Sequence, residues 1–261
     1  MNIVVCVKQV PDTAAVILPT ADGSAIALDD IPWVMNPYDE YALEEALRIK
    51  EREGGAVTVI CLGPERAVAT LRSAAAMGAD RLVHLADAAF EGSDAHATAA
   101  VLAAAVKGLE YDLIWCGKMA VDDACGYVGA ALAELLGLAH IAAVVKVETG
   151  DGKVTAHRET EAGTAVMRCP LPAVLTADKG LNEPRYPKAI DIMKAKRKEV
   201  QTKDAAALGV SAAAVGAAGS LTRVVKFELP PVRGGGTVIQ APVAEAVTQL
   251  VQALRDQAKV L

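Results

Sequence analysis

The sequence predicts an α/β fold: a doubly wound, mostly parallel sheet with an antiparallel extension and a C-terminal arm. Over the first 145 residues, short apolar runs alternate with segments of helix length, which is typical of parallel strands joined by right-handed crossovers. After residue 147 the pattern changes to closely spaced hairpin strands, and beyond residue 198 strand periodicity is lost. A chain of 261 residues suits one α/β domain with an appendage, or two small domains.

The parallel part is built from five predicted strands, at residues 3–7, 56–62, 82–85, 113–116 and 141–147. The helices between them are expected over residues 39–53, 65–77, 94–109 and 125–136. Asn36 and Pro37 supply an N-cap and a first-turn proline for the first helix, and Ser93 can cap the third. Gly78 and Gly137 end the second and the fourth.

The antiparallel extension is expected to contain strands at residues 144–148, 154–159 and 166–169, before a return strand at residues 173–176. Residues 199–235 read as an arm or linker. An amphipathic helix is predicted over residues 243–260, and its apolar face comprises Val243, Val247, Leu250, Val251 and Leu254. We therefore divide the chain into an α/β domain, residues 1–198, and an arm, residues 199–261, whose apolar helix face we expect to pack on a partner.

Composition excludes several classes of protein. The net charge of −6 argues against a general nucleic-acid binder. No apolar stretch approaches the roughly 18 residues that span a bilayer, so we expect a soluble, unexported protein without membrane insertion. The five cysteines form no C-x-x-C pair, and we expect neither a metal site nor a disulfide.

No acid–base or nucleophile constellation stands out. His84 and His140 border apolar strands and are predicted to be structural, and Glu44-Glu45 is predicted to be a solvated pair on a helix face. These absences favour a carrier whose chemistry belongs to a cofactor, rather than an enzyme with catalytic side chains.

A ligand crevice is expected where the winding direction of the sheet reverses, between the ends of the strands at residues 3–7 and 113–116. Gly117 permits close backbone approach, and the helix start that follows offers free N–H groups to a phosphate. Asp122 and Asp123 are the N-cap candidates, so these residues alone leave a plain helix cap and a phosphate site equally open. Neither G-x-G-x-x-G nor G-x-x-x-x-G-K-[ST] is present.

The most specific motif is a proline-stiffened loop that leads into a basic segment. The loop reads L-N-E-P-R-Y over residues 181–186, and the segment reads I-M-K-A-K-R-K over residues 192–198. Pro184 and Pro187 deny the loop a continuous helix, so we expect an ordered turn that exposes Leu181 and Tyr186. The two runs resemble the recognition loop of the β subunits of electron transfer flavoproteins, and the likeness continues through most of the chain.

The resemblance implies a Rossmann-like fold that binds an adenine nucleotide. Carried over by position, the contacts are Cys6, Asn36, Pro37, Tyr38, Asp39, Leu62, Gly63, Gly117, Lys118, Met119, Ala120, Val121, Asp122, Asp123, Ala124, Cys125 and Val128. The chain departs from the family at Cys125-Gly126-Tyr127, where a polar pair ending in Gln is usual. Thr13, where the family often has Tyr, is implied to face the flavin.

The resemblance also implies partners. An α subunit would form a heterodimer with this chain and hold most of the redox FAD. The recognition loop, residues 178–198, would bind an acyl-CoA-type dehydrogenase through Leu181, Asn182, Glu183, Pro184, Arg185, Tyr186, Lys194 and Lys196, with Leu181 as the anchor. Electrons would pass on to a quinone-linked oxidoreductase, in the bacterial cytoplasm or, for a eukaryotic chain, the mitochondrial matrix.

Two branches of the family remain open. The ordinary branch holds AMP as a structural ligand, whereas the electron-bifurcating branch holds a second FAD and accepts electrons from NADH. V-K-Q-V-P-D-T at residues 7–13 and F-E-G-S-D at residues 90–94 resemble the bifurcating branch. Asp122-Asp123, where bifurcating proteins tend to have Asp-Gly, and the I-M-K-A-K run resemble the ordinary branch, which we favour. A stand-alone adenine-nucleotide sensor is a further alternative.

Overall fold

A computed structural model describes residues 1–28, 31–231 and 234–261. The strands are β1 Asn2–Val7, β2 Gln9–Pro11, β3 Trp33–Met35, β4 Ala56–Leu62, β5 Arg81–Leu85, β6 Leu113–Gly117, β7 Ala139–Gly150, β8 Lys153–Thr160, β9 Gly163–Pro170, β10 Ala173–Ala177 and β11 Gln201–Lys203. The α-helices are α1 Pro37–Glu53, α2 Val68–Met77, α3 Ala95–Lys107, α4 Val128–Leu136, α5 Ala189–Ala195, α6 Ala205–Leu208, α7 Gly216–Gly219 and α8 Val243–Gln252. The predicted α/β class is confirmed.

The main sheet has nine strands in the order β11-β5-β4-β1-β6-β10-β7-β8-β9. β1 pairs in parallel with β4 on one side and with β6 on the other. The chain first winds outward through β4 and β5 and then crosses back to β6. The winding direction therefore reverses between β1 and β6, where the sequence predicts the crevice.

β7 joins the parallel and antiparallel parts of the sheet. Its first half pairs in parallel with β10, and its second half pairs antiparallel with β8. The register shifts in β7, where Ala143 adopts a positive φ of 55°. The predicted strands 141–147 and 144–148 are thus one continuous strand with a bulge that changes its partner.

Alternating residues of the central strands point to opposite faces of the sheet. They contribute to two apolar cores, because helices cover both faces. Val5 and Trp115 belong to the core beneath α1 and α2. Val4 and Cys6 belong to the core beneath α3 and α4. Both cores are rich in alanine, so the helices lie close to the sheet.

The predicted starts of α3 and α4 are wrong. Asp94, not Ser93, caps α3, because the Asp94 carboxylate accepts hydrogen bonds from His96 N and Ala97 N. Ser93 instead donates its hydroxyl to Phe90 O. α4 begins at Val128 rather than at residue 125, since Ala124 and Gly126 adopt positive φ values of 51° and 63° that a right-handed helix excludes.

The chain beyond residue 198 is not uniformly an arm. β11 adds a parallel strand to β5 at the edge of the sheet, and α6 and α7 pack against α3. A three-residue strand carries too little periodicity to be read from sequence. The amphipathic helix is shorter than predicted, with α8 followed by a π-helical turn over Ala253–Gln257. No helix in the described ranges is long and apolar enough to cross a membrane.

Candidate nucleotide crevice and partner-binding loop

A cavity of about 1230 Å³ opens at the carboxyl ends of β1, β4 and β6. It is lined by most of the predicted nucleotide contacts: Cys6, Asn36, Asp39, Leu62, Gly63, Gly117, Lys118, Met119, Ala120, Asp123, Cys125 and Val128. The remaining predicted contacts, Pro37, Tyr38, Val121, Asp122 and Ala124, lie outside the lining. The structure therefore brings together the turns that the sequence singles out.

Two walls of the cavity were not predicted as contacts. One is the segment after β5, from Leu85 to His96, which includes the cap of α3. The other comes from the arm, where Leu221, Thr222 and Val224 reach the cavity. The F-E-G-S-D run marks the first wall in the sequence, but no pattern marks the second.

Asp94 joins these two walls. Its Oδ2 accepts hydrogen bonds from Leu221 N and Thr222 N, both at 2.8 Å, while its Oδ1 caps α3. Partial desolvation raises the pKa of Asp94, but the hydrogen bonds from Ala97, Thr222 and Leu221 outweigh it and lower the pKa to about 2. Leu221 and Thr222 of the arm are thereby fixed to the rim of the cavity.

Asn36 links α1 to the loop after β6. The position precedes α1 as predicted, but the side chain does not cap that helix. Instead Asn36 Nδ2 donates to Met119 O at 2.9 Å, and Asn36 Oδ1 accepts from Val121 N at 3.1 Å. Residues 118–121 are thus held against the start of α1.

Asp122 and Asp123 pair with Lys8 and do not cap α4. The Lys8 Nζ lies 2.8 Å from Asp122 Oδ1 and 3.0 Å from Asp123 Oδ2. Burial lowers the pKa of Lys8, but the hydrogen bonds and charges of the two aspartates outweigh it and raise the pKa. The pairs bridge the turn after β1 and the loop after β6, across the mouth of the cavity.

The start of α4 is left uncapped by side chains. Its N-cap residue is Tyr127, which makes no capping hydrogen bond, and Tyr127, Val128 and Gly129 all line the cavity. The free N–H groups and the positive end of the helix dipole favour an anion there. The Tyr127 hydroxyl lies 3.3 Å from His96 Nδ1, so this tyrosine crosses to the opposite wall.

Several other residues that the sequence singles out make contacts within the scaffold or lie on the surface. Lys118 Nζ pairs with Asp178 Oδ2 at 2.8 Å. Thr13 lies on an exposed turn after β2. His84 is fully buried with Nε2 2.8 Å from Gly63 O, as its structural assignment predicts. Each histidine nevertheless leaves one buried ring nitrogen without a hydrogen-bond partner among the described residues, Nδ1 in His84 and Nε2 in His140.

The L-N-E-P-R-Y loop is held to α1 by its polar side chains. Arg185 Nε lies 2.8 Å from Glu44 Oε2, and Asn182 Nδ2 donates to Tyr41 O at 3.0 Å and to Glu45 Oε2 at 3.1 Å. Glu44 and Glu45 are buried, so the prediction of a solvated pair is wrong. Burial of a carboxylate requires such partners.

The apolar residues of the loop are divided between core and solvent. Leu181 is partly buried and packs against the core beneath α1, so the predicted exposure of Leu181 is not observed. Tyr186 is 96% exposed, and Ile190 and Met193 on α5 are 59% and 69% exposed. The exposed apolar side chains of this region are therefore Tyr186, Ile190, Ile192 and Met193.

The cations of the basic segment also have different roles. Lys194 and Lys196 are exposed. Lys198 Nζ instead donates to Ala79 O. Arg72 donates to Ala195 O and Lys196 O, at the C-terminal end of α5. Within the described ranges, no cluster of three or more His, Cys, Asp or Glu side chains could hold a metal ion.

A model of the electron transfer flavoprotein domain matches residues 24–208. This chain belongs to the electron transfer flavoprotein family. It is 42% identical over 257 residues to the electron transfer flavoprotein subunit beta of Clostridium acetobutylicum, covering 98% of this chain and 99% of that protein. The corresponding protein of Bacillus subtilis is 37% identical over 263 residues, covering both chains completely. Subunit CarD of the caffeyl-CoA reductase-Etf complex of Acetobacterium woodii is 38% identical, covering 98% and 99%. The family functions in electron transfer.

Proposed function

We propose that this chain is the β subunit of a heterodimeric electron transfer flavoprotein, with AMP as a structural ligand in the crevice. The observation that carries the nucleotide assignment is the uncapped start of α4 at the cavity wall. Its N–H groups suit a phosphate, while the apolar side chains of Cys6, Leu62 and Leu102 suit a nucleoside. The residues present fit the ligand.

Asp123 favours AMP over a second FAD. Its carboxylate lines the cavity and is fixed there by Lys8 Nζ and by Cys125 N, the latter at 2.9 Å. Continuation of a longer ligand past this point requires clearance that a glycine would provide and Asp123 does not. The similarity to a subunit of the caffeyl-CoA reductase-Etf complex favours the alternative, an electron-bifurcating protein with FAD in the same crevice and NADH as donor.

The α subunit is proposed to cover the exposed face of α8. Val243, Val247 and Leu250 are 81%, 55% and 49% exposed on one face of this helix. Soluble monomers seldom expose contiguous apolar patches of this kind, so the face indicates a partner rather than a stand-alone sensor. The α subunit would hold the redox FAD, which supplies the electron-transfer chemistry, with the turn of Thr13 on the flavin side.

The electron donor is proposed to be an acyl-CoA-type dehydrogenase, as in fatty acid oxidation, and the acceptor a quinone-linked oxidoreductase. We assign the anchor of the dehydrogenase contact to Tyr186, Ile190 and Met193, because Leu181 packs against the core. Asn182, Glu183 and Arg185 are assigned to holding the loop on α1, and Lys194 and Lys196 to steering the partner. The proteins compared above are bacterial, and we propose a cytoplasmic location.

Co-expression with the α subunit from the same genome tests the heterodimer. We expect a yellow 1:1 complex, and we expect a chain that ends at residue 236, which lacks α8, to lose the complex while keeping its fold. Circular dichroism and analytical ultracentrifugation measure the two properties separately. A colourless monomer from the intact pair, or full association of the shortened chain, would contradict the proposal.

A further inference from the structure

The two strands that frame the crevice separate before they end. β1 and β6 are paired from Ile3↔Leu113 to Val5↔Trp115, and the pairing stops there although both strands continue. Beyond that point, the backbone N–H groups of Lys8 and Gly117 face the gap between the strands. Buried N–H groups need acceptors, so something other than the neighbouring strand must satisfy them.

Asp39 satisfies both. Its Oδ2 accepts from Lys8 N at 2.7 Å, and its Oδ1 accepts from Gly117 N at 2.9 Å. Asp39 lies in the first turn of α1 and is 5% exposed, so one carboxylate spans the two strand ends from below the cavity. Charge-assisted hydrogen bonds of this kind are short and geometrically demanding.

Gly117 is adapted to Asp39. A Cβ at position 117 would lie 2.3 Å from Asp39 Oδ1 and 2.8 Å from Tyr38 Cβ. The glycine thus makes room for the protein's own carboxylate. A bulkier residue there would act on the strand ends first, and not directly on a ligand.

Few charges surround the carboxylate. Burial raises the pKa of Asp39 to about 7, against the lowering effects of the hydrogen bonds from Lys8, Asn36 and Gly117 and of the Lys8 charge. Burial and the Asp39 charge raise the pKa of the neighbouring Cys61 thiol. The hydrogen bond with Cys6, burial and the Asp39 charge raise the pKa of the Cys116 thiol. Asp122 and Asp123 face the same region through Lys8.

We propose that Asp39 is a positioning residue that fixes the separation of the two crevice edges, at Lys8 and Gly117, and thereby sets the affinity for the nucleotide. This inference rests on the proposed nucleotide site. It reassigns Asp39 from a ligand contact to a group that acts through the backbone. The ionised carboxylate accepts strongly from both N–H groups, whereas protonation makes one of its oxygens a hydroxyl, which is a weaker acceptor, and so loosens one edge.

The first test observes the backbone amides of Lys8 and Gly117, the two crevice edges, by NMR. In wild-type protein, the amide proton signals of Lys8 and Gly117 should shift together with a midpoint near pH 7, where Asp39 titrates. In Asp39→Asn, whose amide NH2 must face one of the two N–H groups, both signals should be displaced and should not titrate. Signals that are unchanged by the variant, or by pH in the wild type, would overturn the proposal.

The second test measures AMP binding by calorimetry between pH 6 and pH 8. We expect AMP to bind Asp39→Asn about tenfold more weakly or worse at pH 8, since hydrogen bonds to a charged acceptor have this strength. Wild-type affinity should fall as the pH is lowered, for adenosine as well as for AMP, so that titration of the phosphate is excluded as the cause. Glu40→Gln is the matched control, because it makes the same carboxylate-to-amide change in the first turn of α1 but outside the cavity lining, and it should leave the profile in place.

The outcomes distinguish the positioning role of Asp39 from the assignment of the crevice to AMP. If the amide signals respond and Asp39→Asn binds AMP as tightly as wild type, Asp39 does not set affinity and the inference fails. If the amide signals respond and the wild type binds no AMP at any pH, the nucleotide assignment fails while the fixing of the edges by Asp39 stands. The wild-type titration requires no variant, so a misfolded Asp39→Asn does not remove the test.

Discussion

The guanidinium of Arg185 contacts the buried carboxylate of Glu44, with Nε 2.8 Å from Oε2, and so ties the L-N-E-P-R-Y loop to α1. Arg48 Nε lies 2.7 Å from the other oxygen of Glu44, and Arg48 also donates to Glu183 O. One carboxylate therefore holds Arg185 directly and Glu183 through Arg48. The side chain of Glu44 is only 3% exposed. Removal of Arg185 or of Arg48 alone therefore leaves a buried carboxylate with fewer partners.

Glu44→Gln should destabilise the protein by about 2 kcal/mol, because hydrogen bonds to a charged acceptor contribute this much. Burial raises the pKa of Glu44, but the bonds from Arg185 and Arg48 outweigh it and lower the pKa below its ordinary 4.5. The stabilisation is therefore present above pH 4.5, is lost as the pH falls further, and should be missing in the variant. Urea denaturation at pH 7 and pH 4 measures both effects.

The matched control is Glu51→Gln, which removes the more exposed partner of Arg185. An exposed ion pair contributes less than about 1 kcal/mol, so this variant should be nearly neutral. Equal losses from the two variants would show that the buried position of Glu44 is unimportant.

Leu181 and Met193 should behave oppositely on truncation to alanine. Leu181→Ala should reduce stability by about 1–2 kcal/mol, less than a fully buried leucine, because the side chain is only partly buried against the core. Met193→Ala should leave stability unchanged and slow electron transfer from the dehydrogenase, since Met193 is 69% exposed. Thermal denaturation and reduction kinetics against the purified dehydrogenase provide the two readouts. A Met193→Ala protein with wild-type kinetics would exclude α5 from the contact.

Lys194 and Lys196 should affect encounter rather than folding. Both are exposed, so their replacement by alanine should lower the rate of reduction by the dehydrogenase at low salt, and the difference should vanish near 1 M salt. Lys198→Ala should instead lower the melting temperature, because Lys198 Nζ is bonded to Ala79 O. A salt-independent defect in the first variant would argue against electrostatic steering.

Asp94→Ala should release Leu221 and Thr222 of the arm from the rim of the cavity. The loss of a helix cap costs about 1 kcal/mol, and the same carboxylate also holds Leu221 and Thr222. Amide hydrogen exchange at residues 220–224 should accelerate roughly tenfold, while wild-type protein keeps its protection down to low pH because the pKa of Asp94 is about 2. Asp204→Ala, which removes the cap of α6, is the control that should leave these amides unchanged.

The parallel strands could be predicted because short apolar runs, separated by glycine or proline punctuation, are local signals. β11 could not be predicted, because its three residues acquire strand geometry only by pairing with β5. The start of α4 was missed because the positive φ of Ala124 is not a preference of alanine.

The sequence predicts which residues surround the crevice, but not which residues of the protein itself they contact. Gly117 and Asn36 were recognised as parts of the crevice, but their partners within the protein, Asp39 and Met119, are set by tertiary contacts. Likewise, the L-N-E-P-R-Y motif predicts an ordered loop, yet the sequence does not reveal that Leu181 turns inward while Tyr186 points outward.

The nucleotide content of the purified heterodimer tests the central claim most directly. Nucleotides released by denaturation are separated by chromatography and counted per complex. One FAD and one AMP are expected, because Asp123 is fixed by Lys8 where a longer ligand would have to pass. Two FAD per heterodimer would contradict the AMP assignment and establish the bifurcating alternative, and one FAD without any adenine nucleotide beside it would contradict the crevice assignment itself.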